Sequence, residues 1–255
     1  MYRCTINKFI VHSLFHWDEF TTTGLTRRET PLKNLKASLK KSRRVRGSKG
    51  EHTRQHILES TLSVIAREGV RGTTHRAIAK RAGVHLSLTT YYFRNLEELI
   101  LEAFKVFMNR DQDELKQSWE KAFKYLDRIE RKGLEREDRI RLIVDYFNSK
   151  ILSHVRDGLE NSPEGLMVEH HMFFEVMLGP ALRQLSAEHR KMLLDPIVRF
   201  CGYFNKEDPV TDAELLLGTI TRLEYEAMLF EPGSVDYKAT RREIRRIVGW
   251  IVNAN

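Results

Sequence analysis

Cysteine is nearly absent, proline is scarce, and no long apolar run occurs in this 255-residue chain. Cys4 and Cys201 are too few and too far apart for a disulfide framework or a metal cluster, and both read as reduced thiols. No apolar stretch approaches the roughly 18 residues that a membrane-spanning helix needs. The N-terminus lacks the basic start, apolar centre and small-residue cleavage site of a secretory signal, so the expected location is the cytoplasm, with no membrane partner. Of the six prolines, Pro31 is followed by none until Pro163, a tract long enough for several uninterrupted helices. No segment alternates apolar and polar residues between hairpin turns, so strands are not expected. Nucleophile elbows, phosphate loops and metal-ligand spacings are missing too. His170 and His171 are adjacent, and on a helix they diverge by about 100°, a poor geometry for chelating one ion. The chain therefore reads as a non-enzyme with no cofactor and no metal.

What is present is unevenly charged. Residues 33–49 hold eight Lys or Arg and no acid, and residues 1–49 together carry +9. Residues 51–94 add seven bases against three acids, which leaves −5 for residues 95–255. A basic front and an acidic rear suit a polyanionic partner at one end only. Residues 1–49 show no sustained period and read as a disordered basic tail, a mis-assigned start, or an arm that adds nonspecific phosphate contacts.

From residue 50 onward the period is helical. "HTRQHILESTLSVIAREG" places Ile57, Leu58, Leu62, Ile65 and Ala66 on one face and stops at Gly69. Thr73 or Thr74 offers a capping hydroxyl for a second helix carrying Ala77, Ile78 and Ala82. Gly83 supplies a turn, and a short third helix runs from about Leu86 to Phe93. Asn95, with Glu98 three residues on, opens a fourth helix at about 96–108 bearing Leu99, Ile100, Ala103, Phe104 and Phe107. Ala79 lets the following helix approach closely, and Gly83 tolerates the positive φ of a sharp turn. Together these make a helix-turn-helix, whose second helix can enter the major groove. Thr74, His75 and Arg76 at the second helix's start are candidate DNA contacts, the latter two to the backbone, and His85, Leu86 and Ser87 suit base contacts. Thr89, Thr90, Tyr91 and Tyr92 crowd hydroxyls and rings where phosphates, sugars and base edges would lie. Phe93 is expected to point inward as an anchor.

The run "ILESTLSVIAREGVRGTTHRAIAKRAGV" followed by "TTYYFRNLEELI" resembles the DNA-binding domain of the TetR family of bacterial transcriptional regulators. The elements carrying the resemblance are Gly69, Thr74, Ile78-Ala79, Ala82-Gly83-Val84, Tyr91-Tyr92-Phe93 and Glu98-Leu99. Many members place a lysine where this chain has Leu96; Arg94 is the candidate to replace its phosphate contact. The resemblance implies an all-α chain in which an N-terminal three-helix helix-turn-helix domain is joined by a fourth helix to a larger helical bundle. Residues 50–108 would bind DNA, and residues 109–255 would bind an effector and dimerise.

Within the rear part, "MVEHHMFFEVMLGPAL" offers Met167, His171, Phe174 and Met177, with Met172 and Phe173, as the lining of an apolar, adaptable pocket. Plain core packing is the alternative for each. Pro180 after Gly179 is expected to kink this helix. The family resemblance places the dimer interface on the last two helices, near 211–230 and 236–253. There Leu216, Ile220 and Leu223 form one stripe, and Ile244, Ile247 and Ile251 another. The expected function is a homodimeric repressor on a palindromic double-stranded operator, released by a small, largely apolar effector. An activator, a regulator controlled by a protein partner, and a nonspecific architectural DNA binder are the alternatives.

Overall fold

The computed structural model describes residues 49–110, 112–174, 179–230 and 234–253. The proposed tail lies outside them except for Lys49. Every regular element among the described residues is a helix. The order is α1 (Lys49–Gly72), α2 (His75–Ala82), α3 (Leu86–Tyr92), α4 (Leu96–Arg110), α5 (Gln112–Glu130), α6 (Arg136–Asn161), α7 (Pro163–Phe174), α8 (Pro180–Cys201), α9 (Pro209–Met228) and α10 (Tyr237–Val252).

The N-terminal helices follow local chemistry closely. Gly69 takes φ +69°, which breaks the helical path of α1 as expected of a stop residue. The Thr73 hydroxyl then donates to the Gly69 carbonyl at 2.8 Å. Thr74, not Thr73, caps α2, accepting from the Ala77 N–H at 3.1 Å. Gly83 ends α2 with φ +64°, and the Val84 N–H reaches back to the Ala79 carbonyl at 3.1 Å. A β-carbon at Gly83 would meet nothing within 4 Å, so it is the backbone angle, not space, that requires glycine there. At α4 the Glu98 N–H donates to Asn95 Oδ1 at 2.8 Å. The return bond of this capping box comes from the Arg94 N–H to Glu98 Oε2, one residue earlier than in the simplest form.

Two apolar cores hold the chain. One joins α5, α6, α9 and α10 to the end of α8, with Phe147, Phe200, Ile244 and Val248 among its most buried side chains. The other contains Ile57, Leu58, Ile65, Ile78, Phe93, Leu99 and Phe104 from α1 to α4. It does not stop at the end of α4. Val168 and Met172 of α7 and Leu182 and Leu185 of α8 are buried in the same cluster. Arg67 of α1 also pairs with Glu164 of α7 at 2.8 Å.

Gly179 and Pro180 do not kink one helix. Pro180 starts α8 as a first-turn residue with Gly179 as its cap, so the segment divides into α7 and α8. The sequence after Pro180, including "AEHRKMLLDPIVRFC", is then one helix of 22 residues.

Truncating Met172, 1% exposed, should therefore be felt in the N-terminal domain. Met172→Ala is expected to cost about 2–4 kcal/mol of stability and to speed amide exchange in α1, measured by hydrogen–deuterium exchange. Destabilisation with α1 protection unchanged would show that the cores are separate.

Candidate nucleic-acid interface and ligand cavity

The helix-turn-helix sorts its side chains by the helical period. Phe93 is 1% exposed and carries the Arg54 guanidinium over its ring, so it anchors the short helix as expected. Thr89 lies one turn before it and points the same way, fully buried. Its hydroxyl donates to the Leu86 carbonyl at 2.8 Å and meets His75 Nδ1 at 3.1 Å. Thr89 thus does not face DNA, contrary to expectation; it fastens α3 to α2, and His75 has one ring nitrogen turned inward. Tyr92 is half-buried, packed on the N-terminal core.

The remaining expected contacts form an exposed ridge: Thr74, Arg76, His85, Leu86, Ser87, Thr90, Tyr91 and Arg94. Tyr91 is 78% exposed and meets Tyr92 edge-on with ring centroids 5.1 Å apart. His85 Nδ1 and Ser87 Oγ are 2.9 Å apart, and the Thr90 hydroxyl donates to the Ser87 carbonyl at 3.1 Å. Leu96, where many family members have lysine, is half-buried against the core, whereas the Arg94 side chain is 90% exposed, 3.4 Å from Glu98.

The pocket residues fall differently. A cavity of about 160 Å³ opens among α4, α5, α6, α8 and α9, walled by Phe107, Trp119, Tyr146 and Phe147. Among the described residues of the expected segment, Glu169 alone reaches it. Met167 packs on the N-terminal core, beside Val168 and Met172. His171 lies over Gly69, where a β-carbon would come within 3.3 Å of its ring. Phe174, 71% exposed, borders a separate open groove with His170 and Tyr225. Met177 lies outside the described residues. The face of α7 rich in methionine was spent on the domain junction, which leaves its acidic edge for the cavity.

That edge builds a polar centre absent from the sequence reading. Glu169 Oε1 lies 2.9 Å from His189 Nε2, and Glu224 Oε1 lies 3.2 Å from His154 Nε2. Burial pushes the Glu169 carboxyl up, but the His189 hydrogen bond and the nearness of His189, His154 and His170 outweigh it and hold it below its usual range. Lys150 also lines the cavity, its ammonium 5.6 Å from the centre of the Tyr146 ring. Burial, with Lys121 adding to it, holds that ammonium below the usual lysine range. Burial also pushes the Tyr146 phenol up to about 12. Among the described residues no group of three or more His, Cys, Asp or Glu is placed to hold a metal ion.

The expected dimer stripes turn inward as well. Leu216, Leu223, Ile244 and Ile251 are buried in the protomer's own core, and Ile220 and Ile247 pack against it. The outer faces of α9 and α10 instead carry Leu215 at 55%, Tyr225 at 52% and Trp250 at 61% exposure. An apolar stripe of this kind marks the side of a helix that meets its nearest core, which here belongs to the same chain.

With this geometry in place, comparison with known proteins is decisive for residues 57–103, which match the family model of bacterial regulatory proteins, tetR family. These residues therefore form a TetR-type helix-turn-helix. The HTH-type transcriptional regulator PksA of Bacillus subtilis (strain 168) is 36% identical over 66 residues, 26% of this chain. That alignment spans only 32% of PksA. A transcriptional regulator from Rhodococcus sp. Rha1 superimposes with a TM-score of 0.56 at 17% identity, covering 79% of this chain and 96% of its own. EbrR, a multidrug binding protein solved with ethidium, gives 0.51 at 19% identity, covering 76% and 97%. These two likenesses are of overall fold, and their coverage extends it well beyond residues 57–103. No described helix is long and apolar enough to cross a membrane.

Removing the Thr89 hydroxyl should test its inward role. Thr89→Val is expected to cost about 1–2 kcal/mol in chemical denaturation, because His75 Nδ1 loses its partner inside the domain. A stability unchanged from the parent would return Thr89 to the exposed ridge.

Proposed function

We propose that this chain is a TetR-family, sequence-specific DNA-binding transcriptional regulator that acts as a homodimer on a two-fold-symmetric operator and is released by a small ligand in the α4–α9 cavity. The observation carrying this reading is the exposed ridge of α2 and α3, held on a fully buried Thr89–Phe93 seat. Side chains on such a seat are pre-positioned for base edges and phosphates, which lowers the ordering cost of binding. Arg76 and Arg94 supply phosphate contacts at its two ends, and the basic charge of the N-terminal third attracts the polyanion. One seven-residue reading helix contacts few base pairs, so pairing two copies on two half-sites supplies the specificity.

The dimer contact is placed on the outer faces of α9 and α10, around Leu215, Tyr225 and Trp250. Gly218 and Gly249 lie in open space in these helices, and such glycines let a second backbone approach closely. Ligand release would act through two of the three helices that touch both the cavity and the N-terminal core. α4 presents Phe107 and Met108 to the cavity while Leu99 and Phe104 hold the core. α7 presents Glu169 to the cavity while Val168 and Met172 hold the core. A ligand that prefers the arrangement with wrongly spaced reading helices shifts the population off DNA.

The test is selection of bound sequences from genomic DNA with the full chain and with a chain truncated to begin at Gly50. A shared palindromic site supports the reading and removes the tail as a determinant. Steeply salt-dependent binding without any enriched site would favour an architectural role instead. Transcription from the selected site, with and without the protein, then separates repressor from activator.

Tyr91→Ala should weaken binding to the selected site by about tenfold or more, the scale of one lost base or backbone contact, while thermal stability stays near that of the parent. Unaltered affinity would remove Tyr91 from the interface. Paired Leu215→Asp and Trp250→Asp substitutions should give folded monomers in sedimentation analysis; persistence of the dimer would place the contact elsewhere.

A further inference from the structure

The cavity is more particular than an apolar hole. Trp119, Tyr146 and Phe147 line it, with Trp119 and Phe147 centred 6.4 Å apart. Into this wall project two carboxylates from different helices, Glu169 of α7 and Glu224 of α9. Glu224 is 7% exposed. Each carboxylate has a histidine as its close partner, and the His154 of one pair lies near enough to influence the Glu169 of the other. His189, itself 5% exposed, offers Nε2 to Glu169, while its Nδ1 is buried without a hydrogen-bond partner.

Burying carboxylates in an aromatic cavity is costly unless charge of the opposite sign meets them. Lys150 and the two partner histidines, His154 and His189, line the cavity beside the two carboxylates, and the Lys150 ammonium sits over the Tyr146 ring. A neutral apolar ligand would leave each carboxylate only its histidine partner, and an anion would be repelled by both. A cation meets them, and its positive face is attracted to the surrounding rings as well. We propose that the cavity takes an aromatic organic monocation, its charge set against Glu169 and Glu224 and its ring against Trp119, Tyr146 and Phe147. This rests on the effector role proposed for the cavity, and it makes Glu169 and Glu224 the residues that choose ligand charge.

The test compares two probes of one shape, phenyltrimethylammonium and tert-butylbenzene, by calorimetric titration of the full chain. The cation should bind at least about tenfold more tightly, the factor set by roughly 1.4 kcal/mol. In a Glu169→Gln/Glu224→Gln variant that preference should fall to within about threefold. If the double variant does not fold, Glu224→Gln alone should still reduce the preference. The neutral probe binding equally well in the parent chain, or a preference that survives both substitutions, would overturn the proposal. Release of the protein from its selected DNA site by phenyltrimethylammonium is read separately. Cation binding without release supports the ligand class and counts against the effector reading, whereas release by tert-butylbenzene alone supports that reading and overturns the ligand class.

Discussion

The packing of Val168 and Met172 of α7 into the core built by α1 and α4 is the contact on which the remaining architecture depends. A three-helix unit with one short reading helix has little apolar surface of its own, and small domains are correspondingly marginal. By lending side chains from α7 and α8, the rear of the chain completes that core and fixes the orientation of α1. Gly69 tightens the join further: only a residue without a β-carbon takes φ +69° there without strain and leaves room for the His171 ring. The Arg67–Glu164 pair crosses the same seam on the exposed side, where screening makes it worth little. Apolar burial therefore holds the two parts together.

This dependence explains how one face of a short helix can be spent on rigidity. α3 has seven residues, and their period gives it two usable faces. One carries Thr89 and leads into Phe93, both buried; the other carries Leu86, Ser87, Thr90 and Tyr91, all exposed. A reading helix whose seat is loose would have to be ordered on every encounter with DNA. The buried seat removes most of that cost in advance.

The helix-turn-helix was legible in the sequence because its determinants are local. A cap at Thr74, a left-handed turn at Gly83 and an apolar period within each helix depend on residues a few positions apart. What escaped was every question of which distant element a face meets. Thr89 shares its polarity with Thr90, and only the register of α3 on α2 separates a buried hydroxyl from an exposed one. The stripes through Leu216 and Ile244 read as apolar faces, and within the protomer they pack into the chain's own core with α6 and the end of α8. The methionines of α7 likewise advertise burial without saying against what. Glu169 and His189 stand 20 positions apart on separate helices, a spacing with no sequence signature.

Under the proposed effector role, the same geometry sets how a cavity occupant would be sensed at the reading helices. α4 and α7 each have one face in the cavity and another in the N-terminal core, but they differ in what the cavity face is. α4 offers apolar side chains, Phe107 and Met108, which respond to an occupant's volume. α7 offers an ionised carboxylate one residue from Val168 and three from Met172, so it responds to charge. Apolar contacts adjust over several small shifts, whereas a carboxylate drawn toward a new partner must loosen its hydrogen bond to His189 or carry α8 with it. Since Leu182 and Leu185 of α8 are seated in the same core, either movement reaches α1. Volume and charge thus enter through different helices and meet in one packed cluster, which is the condition for a ligand of the right shape and sign to shift the reading helices more than a ligand with only one of the two.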